Sequence, residues 1–176
     1  YLALPALTAF LRQRGVSVRQ DDLSIRAFDQ ITSRGALKKV FDSQKGRAPK
    51  GWGRKGDLRA DLRIIEAVEE AKAFLRGDRG EFDDFGRYRS AHATIEGALE
   101  LASRPYVSTR LSLTEYVSAY SPESSRQIIE GTLDDGKNLF GAFLCDYVRN
   151  VIAPNPPALI GISIAALSQM IPAFTL

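Results

Sequence analysis

The sequence predicts an α/β fold: part of a doubly wound parallel sheet that carries a large, mainly helical insertion. Three observations predict it. Residues 16–19 alternate apolar and polar side chains, which is typical of an edge strand. Residues 158–164 form a nearly continuous apolar run, which is typical of a central strand covered by helices on both faces. The chain between these two runs has mainly helical periodicity.

The first predicted unit, residues 1–23, consists of one helix followed by the edge strand. Apolar residues recur at helical spacing from Leu4 to Leu11, and Gly15 comes just after the last turn. Because glycine readily adopts a positive φ, Gly15 is the predicted C-cap of this helix. The strand then ends at Asp21-Asp22.

The second predicted unit, residues 24–152, is the helical insertion. Its clearest helix begins behind Asp57, a predicted N-cap, and carries an apolar stripe from Leu58 to Leu75. Residues 106–116 fit a strand or a helix start equally well. The other predicted elements are a helix over 25–41, a helix over 84–102, a helix capped by Ser121 with Pro122 in its first turn, and an apolar helix over 139–152.

The third predicted unit, residues 153–176, contains the central strand over 158–164 and a helix that begins near Ser168. The last 26 residues of the chain carry no charged side chain, so a membrane span has to be considered. Four prolines interrupt this stretch, and no run of the required length is free of helix breakers. The prediction is therefore a protein without a membrane partner.

A sheet of only two strands is marginally stable, so the predicted fold requires further strands in addition to these two. In the flavodoxin-like strand order 2-1-3-4-5, an edge strand comes second in sequence and a central strand third. Residues 16–19 and 158–164 then fit the second and third strands. The expectation is that the first strand lies before Tyr1 and that the fourth follows Leu176.

Composition excludes several kinds of chemistry. With Cys145 and His92 as its only cysteine and histidine, the chain cannot form an internal disulfide, a Cys/His zinc site or a two-histidine metal site. Cys145 lies in an apolar run and is a predicted core thiol, while His92 is expected on the surface. One free thiol and no basic leader segment favour the cytoplasm.

Positive charge is concentrated in the first third of the chain. Residues 1–60 hold 13 Lys and Arg against five Asp, whereas residues 61–176 hold 11 Lys and Arg against 16 Asp and Glu. The maximum falls in the Gly-rich stretch 45–56, which matches G-x-G-x-x-G from Gly51 to Gly56. No apolar strand leads into these glycines and no series of aromatics accompanies the charge. The stretch is therefore predicted to be an exposed loop, without nucleotide or nucleic acid.

The carboxyl end of the run 158–164 is the predicted ligand site. In open α/β sheets, ligands lie outside the carboxyl ends of central strands. The small residues Ser163, Ala165 and Ser168 would let a large flat or phosphate-bearing ligand approach the backbone and the following helix. The alternative is a strand that simply turns into a helix.

Two segments carry a resemblance to a known family. Residues 2–23 resemble the first helix and second strand of the cobalamin-binding domain at the amino end of B12-dependent radical SAM enzymes. Residues 156–164 and 168–174 are similar to that family's third strand and third helix. Residues 120–125 and 138–140 also resemble its helical insertion, which is found in methyltransferases and peptide-maturation enzymes.

The resemblance implies a Rossmann-like domain that binds cobalamin through Ser163, Ala165, Ser168 and Gln169. The iron–sulfur cluster and S-adenosylmethionine would belong to a radical SAM domain further along the same polypeptide, because this chain lacks C-x-x-x-C-x-x-C. The family's Ser-x-Leu reads Ser163-Ile164-Ala165 here, so its leucine is missing. A helical protein-interaction module is the alternative function, followed by a basic nucleic-acid-binding domain.

Overall fold

The computed structural model describes residues 3–44, 57–77 and 84–176. Within these ranges the chain forms eight α-helices and one two-stranded antiparallel sheet. No helix in the described ranges is both long enough and apolar enough to cross a membrane. The elements are α1 (Ala3–Gln13), α2 (Leu23–Ile31), α3 (Arg34–Gln44), α4 (Leu58–Arg76), α5 (Phe85–Ser103), β1 (Arg110–Leu111), β2 (Tyr116–Val117), α6 (Ser125–Leu133), α7 (Gly141–Tyr147), a π-helical turn (Val148–Ile152), a 3₁₀ turn (Leu167–Gln169) and α8 (Met170–Thr175).

The predicted α/β fold is wrong. Residues 16–19 lie in an irregular link between α1 and α2, where the guanidinium of Arg12 donates a hydrogen bond to the carbonyl oxygen of Val18 at 3.0 Å. Residues 159–165 are also irregular. In the described part of the chain, neither run lies beside another strand, and a strand is stable only when a neighbour binds its backbone. The fold is therefore mostly helical, with no parallel Rossmann-like or flavodoxin-like sheet among the described residues.

Several predicted helices are confirmed because their end signals are local. Asp57 accepts a hydrogen bond from the backbone N–H of Arg59 at 2.9 Å, and Asp84 caps α5 in the same way. Gly15 has a φ of +76°, as a glycine after a helix C-terminus requires. The helix predicted over 25–41 is instead two helices, because Ser33 interrupts it and its hydroxyl accepts the backbone N–H of Ala36.

The main core lies between α3, α4 and α5. Apolar side chains of α4 and α5 interdigitate, with Val68 and Ile95 completely buried, and Leu37 of α3 closes one side. A buried ion pair crosses the same interface. The Arg104 guanidinium donates to both carboxylate oxygens of Asp61, at 2.6 and 2.9 Å, and thereby fixes the register of α5 against α4.

The ambiguous region 106–116 contains a small hairpin. Arg110 pairs with Val117 and Leu111 with Tyr116, and the Arg110 guanidinium lies 2.7 Å from the Glu115 carboxylate. The Tyr116 ring packs edge-on against Phe140, with the ring centroids 5.0 Å apart. Burial raises the pKa of Tyr116 to about 12.

The last third of the chain is a smaller helical layer formed by α6, α7 and α8. Ser121 is not the cap predicted for α6; the hydroxyl of Ser124 accepts the backbone N–H of Gln127 instead. Buried Asn138, before α7, donates its side-chain N–H to the hydroxyl of Thr175 at 2.9 Å and holds α8 in place. The helix predicted near Ser168 is confirmed as the 3₁₀ turn and α8.

Two other sequence predictions concern single residues. Cys145 is exposed, so its prediction as a core thiol is wrong: α7 buries Phe143 and Leu144 and turns Cys145 outward. His92 is exposed as predicted. The basic stretch 45–56 lies outside the described residues, so its prediction stays a prediction.

Candidate functional site

The four predicted site residues lie near one another, but they do not form a ligand cradle. The side-chain oxygen of Gln169 accepts the backbone N–H groups of Ala165 at 2.7 Å and Ala166 at 3.3 Å. Ser163, Ala165 and Ser168 are all exposed. Gln169 thus caps the start of the 3₁₀ turn, and its acceptor oxygen is already in use.

The arrangement of these residues does not fit the cofactor that the resemblance implies. The parallel sheet whose carboxyl edge would support cobalamin is absent from the described part of the chain. The depression beside Ala165 has a volume of about 320 Å³ and is lined by Ile164, Ala166, Leu167 and Met170. This shallow apolar depression could not enclose a corrin ring with its side chains. Cobalamin binding thus remains only what the sequence resemblance implies, and the geometry of the described residues does not support it.

The strongest candidate for a functional surface is the segment that joins the π-helical turn to the 3₁₀ turn. We call residues 153–168 the exposed segment, because every residue in it is exposed. It contains no charged side chain. Leu159 is 87% exposed, and Ile160, Ile162 and Leu167 are 49%, 50% and 58% exposed. Several large apolar side chains exposed within one uncharged segment are typical of an interaction site.

The middle of the exposed segment also has backbone groups without partners among the residues that the structure describes. No main-chain N–H or carbonyl group from residue 156 to residue 164 bonds to another described residue. These groups bond to water unless another chain supplies partners. The segment thus offers apolar side chains together with free backbone donors and acceptors.

Sequence features explain why the exposed segment stays irregular and where it ends. Pro156 and Pro157 lack backbone N–H groups, so they prevent the π-helical turn from continuing. At the other end, Gln169 binds the N–H groups of Ala165 and Ala166, which removes them from any further pairing. Buried Ile171 anchors the helix beyond. Both ends are therefore fixed to the helical body, and only the middle is free.

A second candidate is an open cleft of about 530 Å³ between α2 and α7. Its charged lining residues already have partners within the chain. Asp29 pairs with Arg76, Arg26 pairs with Asp21, and Asp146 lies 3.5 Å from Arg149. The remaining lining residues are Gln30, Phe143, Tyr147, Asn150 and Val151. With its charges neutralised internally, the cleft favours no class of ligand.

Asp21, which the sequence predicts only as a strand terminator, ties the first link to α7. Its carboxylate accepts hydrogen bonds from Arg26, from the Tyr147 hydroxyl at 2.8 Å and from Arg19 at 3.0 Å. Burial opposes ionisation of Asp21, but these three donors outweigh burial and hold the pKa of the carboxyl below its usual value. Burial, together with Asp21, raises the pKa of Tyr147. The network holds two elements together rather than forming a catalytic group.

Comparisons with protein-family models, with curated proteins and with solved structures found no match. Among the described residues, no group of three His, Cys, Asp or Glu side chains is placed to hold a metal ion. The sequence predicted a strand over residues 158–164 with a ligand site at its carboxyl end, because these residues form an uncharged apolar run. It placed that run in the core, however, and the structure places it on the surface.

Proposed function

We propose that this chain is a helical protein-interaction module, and that the exposed segment is the part that contacts the partner. The observation that carries the proposal is the combination of high exposure, complete lack of charge and unpaired backbone over residues 156–164. Most long irregular loops in compact domains are functional or disordered. This one is held at both ends by the helical body, which favours a functional loop.

The energetics support an intermolecular role. A partner that fully buries Leu159, which is almost fully exposed, gains up to about 1.5–3 kcal/mol, and burial of the half-exposed Ile160 and Ile162 gains about half as much each. A loop without such a role has no physical need for these side chains, because polar residues serve equally well in water. The chemistry of the surface favours an apolar protein surface as partner over a nucleic acid, which would require positive charge.

Site-directed photocrosslinking tests the proposal. A photoreactive amino acid replaces Leu159, which is 87% exposed, in the chain expressed in its source organism. The matched control carries the same group at Leu133, a leucine of α6 that is 78% exposed. Irradiation is followed by denaturing electrophoresis and mass spectrometry of the adducts.

We expect discrete protein adducts from position 159 and none from position 133. An additional variant, Ile162→Lys, should remove the adducts at position 159, because it places a charge within the contact surface. Equal crosslinking at positions 159 and 133, or no adduct at position 159, would overturn the proposal.

A further inference from the structure

Helix α1 and the link behind it are barely packed against the rest of the chain. We call residues 3–20 the strap. Thr8 is the only buried residue of the strap, and Leu7 and Phe10 are 53% and 48% exposed. In the part of the chain that the structure describes, α1 packs extensively against no other helix. Burial of apolar surface therefore contributes little to holding the strap in place.

Within the strap, the link is folded back along α1. The Thr8 hydroxyl donates a hydrogen bond to the side-chain oxygen of Gln20 at 3.1 Å. The Arg12 guanidinium donates to the carbonyl oxygen of Val18 at 3.0 Å. These two bonds join residues that are 12 and 6 positions apart in the sequence. Helix and link are thus bound to each other and form one structural unit.

A single hydrogen bond connects this unit to a distant helix. No residue of the strap forms a hydrogen bond or an ion pair with a described residue beyond Asp21. Asp21, the next residue along the chain, accepts a hydrogen bond from the Tyr147 hydroxyl of α7 at 2.8 Å. Its other two donors, Arg19 and Arg26, are its neighbours in the sequence. The bond from Tyr147 is therefore the attachment of the strap to α7.

The start of α2 is stabilised independently of the strap. The Asp22 carboxylate accepts the backbone N–H groups of Ser24 and Ile25, at 3.0 and 3.1 Å, and so caps this helix. Leu23 packs against the small apolar cluster formed by α2 and α7. A hinge between Asp21 and Asp22 leaves this cap and this packing in place.

We propose that the strap opens while helices α2 to α8 stay folded, and that the hydrogen bond from Tyr147 to Asp21 is the latch that keeps it closed. Regions with few buried apolar contacts open locally at a lower free energy than the core. A helix of 11 residues is only marginally stable in water by itself, so α1 unwinds once the strap is released. The fold thus carries a detachable element held by one side-chain contact.

The latch lies at the open cleft between α2 and α7. Tyr147 and Arg26 both line this cleft, and both donate to Asp21. When the latch breaks, the Tyr147 hydroxyl loses its acceptor and becomes available in the cleft. Opening of the strap therefore changes which polar groups the cleft presents.

Hydrogen–deuterium exchange followed by mass spectrometry tests the latch. Tyr147→Phe removes the hydroxyl and keeps the ring. The matched control is Tyr120→Phe, which removes a hydroxyl that donates to Asp134 at 2.6 Å and makes no hydrogen bond to the strap. A hydrogen bond to a charged group changes an equilibrium by a factor of about ten or more. We therefore expect α1 to exchange at least about tenfold faster in Tyr147→Phe than in the native chain, with α4 and α5 unchanged. Tyr120→Phe should leave the exchange rate of α1 as it is.

The urea dependence of exchange gives a second measurement on the native chain. Opening of the strap exposes little surface, so the exchange rate of α1 should barely change at low urea concentrations. Exchange in the buried parts of α4 and α5 requires the core to unfold, and its rate should rise steeply with urea.

Three outcomes would overturn the proposal. Equal exchange rates and equal urea dependence in α1, α4 and α5 would show that the strap belongs to the cooperative core. If Tyr147→Phe accelerated exchange in α4 and α5 as much as in α1, the hydroxyl would stabilise the whole fold rather than latch the strap. If α1 exchanged at the same rate in Tyr147→Phe as in the native chain, the hydrogen bond to Asp21 would not be the latch.

Discussion

The buried ion pair between Asp61 and Arg104 gives the sharpest stability prediction. The side chains are 5% and 12% exposed and share two short hydrogen bonds, of 2.6 and 2.9 Å. Asp61→Asn removes the negative charge but keeps the shape, and it leaves the Arg104 guanidinium buried between α4 and α5. Breaking a buried pair by removing one partner costs about 3–5 kcal/mol.

The expected loss of unfolding free energy lies at the lower end of that range, because a second carboxylate is close to Arg104. A carboxylate oxygen of Glu100 lies 3.8 Å from the Arg104 guanidinium and can compensate part of its charge. We therefore expect Asp61→Asn to lower the free energy of unfolding by about 3 kcal/mol. For a domain of this size, that corresponds to a fall in Tm of about 6–12 °C.

Urea unfolding followed by circular dichroism measures the effect. The matched control is Glu130→Gln, which breaks the exposed pair between Arg126 and Glu130 on α6. In this pair, Nε of Arg126 lies 2.8 Å from Oε1 of Glu130. An exposed pair at this helical spacing contributes only about 0.3–0.5 kcal/mol. A loss below about 1 kcal/mol for Asp61→Asn, indistinguishable from the control, would refute the reasoning that burial makes this pair costly to break.

Four further predictions concern pH, core packing, helix propensity and ligand. Because the folded pKa of Asp21 lies below its unfolded value of about 3.9, its contribution to stability is present above that pH and lost as the pH falls through the folded pKa. Asp21→Asn should therefore flatten the fall in Tm below about pH 4. Gly97→Leu should destabilise by about 1–3 kcal/mol, because a Cβ there would lie 2.6 Å from Cδ1 of Ile64. Gly35→Ala, with free space around it, should stabilise α3 by about 0.5–1 kcal/mol. The chain mixed with hydroxocobalamin and then desalted should remain colourless.

Each of these measurements has an opposite outcome with a clear meaning. If the Tm of Asp21→Asn fell below about pH 4 as steeply as the Tm of the native chain, the carboxylate network would contribute no stability to the folded state. Equal Tm values for Gly97→Leu and the native chain would mean that α4 and α5 can separate at little cost. A retained cobalamin spectrum would contradict the interaction module and support the cofactor that the sequence resemblance implies.

Helices whose end signals are local could be predicted from the sequence alone. Asp57 and Asp84 cap the helices that follow them, and Gly15 ends α1, because each cap bonds to backbone groups only two to four residues away. The apolar stripe of α4 likewise predicted buried Ile65 and Val68, since helical periodicity decides which side chains share a face, although Leu58 and Leu62 at the start of the same stripe are exposed.

The cap of α6 and the buried side of α7 were not predicted correctly from local sequence. The sequence predicted Ser121 as the cap of α6, but the helix begins at Ser125 and the hydroxyl of Ser124 caps it. The same applies to Cys145, because a short apolar helix does not reveal which side will meet α2 and α8. Its exposure follows from the burial of Phe143 and Leu144.

The conformation of residues 158–164 depended on the tertiary structure. Their β-branched, uncharged pattern is that of a buried strand, and pattern alone predicted one. A helix supplies its own hydrogen-bond partners, whereas a strand requires a neighbour that is often distant in sequence. No strand lies beside this run among the described residues, so the run remains irregular and exposed. Strand propensity was readable from the sequence, but the presence of a pairing partner is a property of the assembled structure.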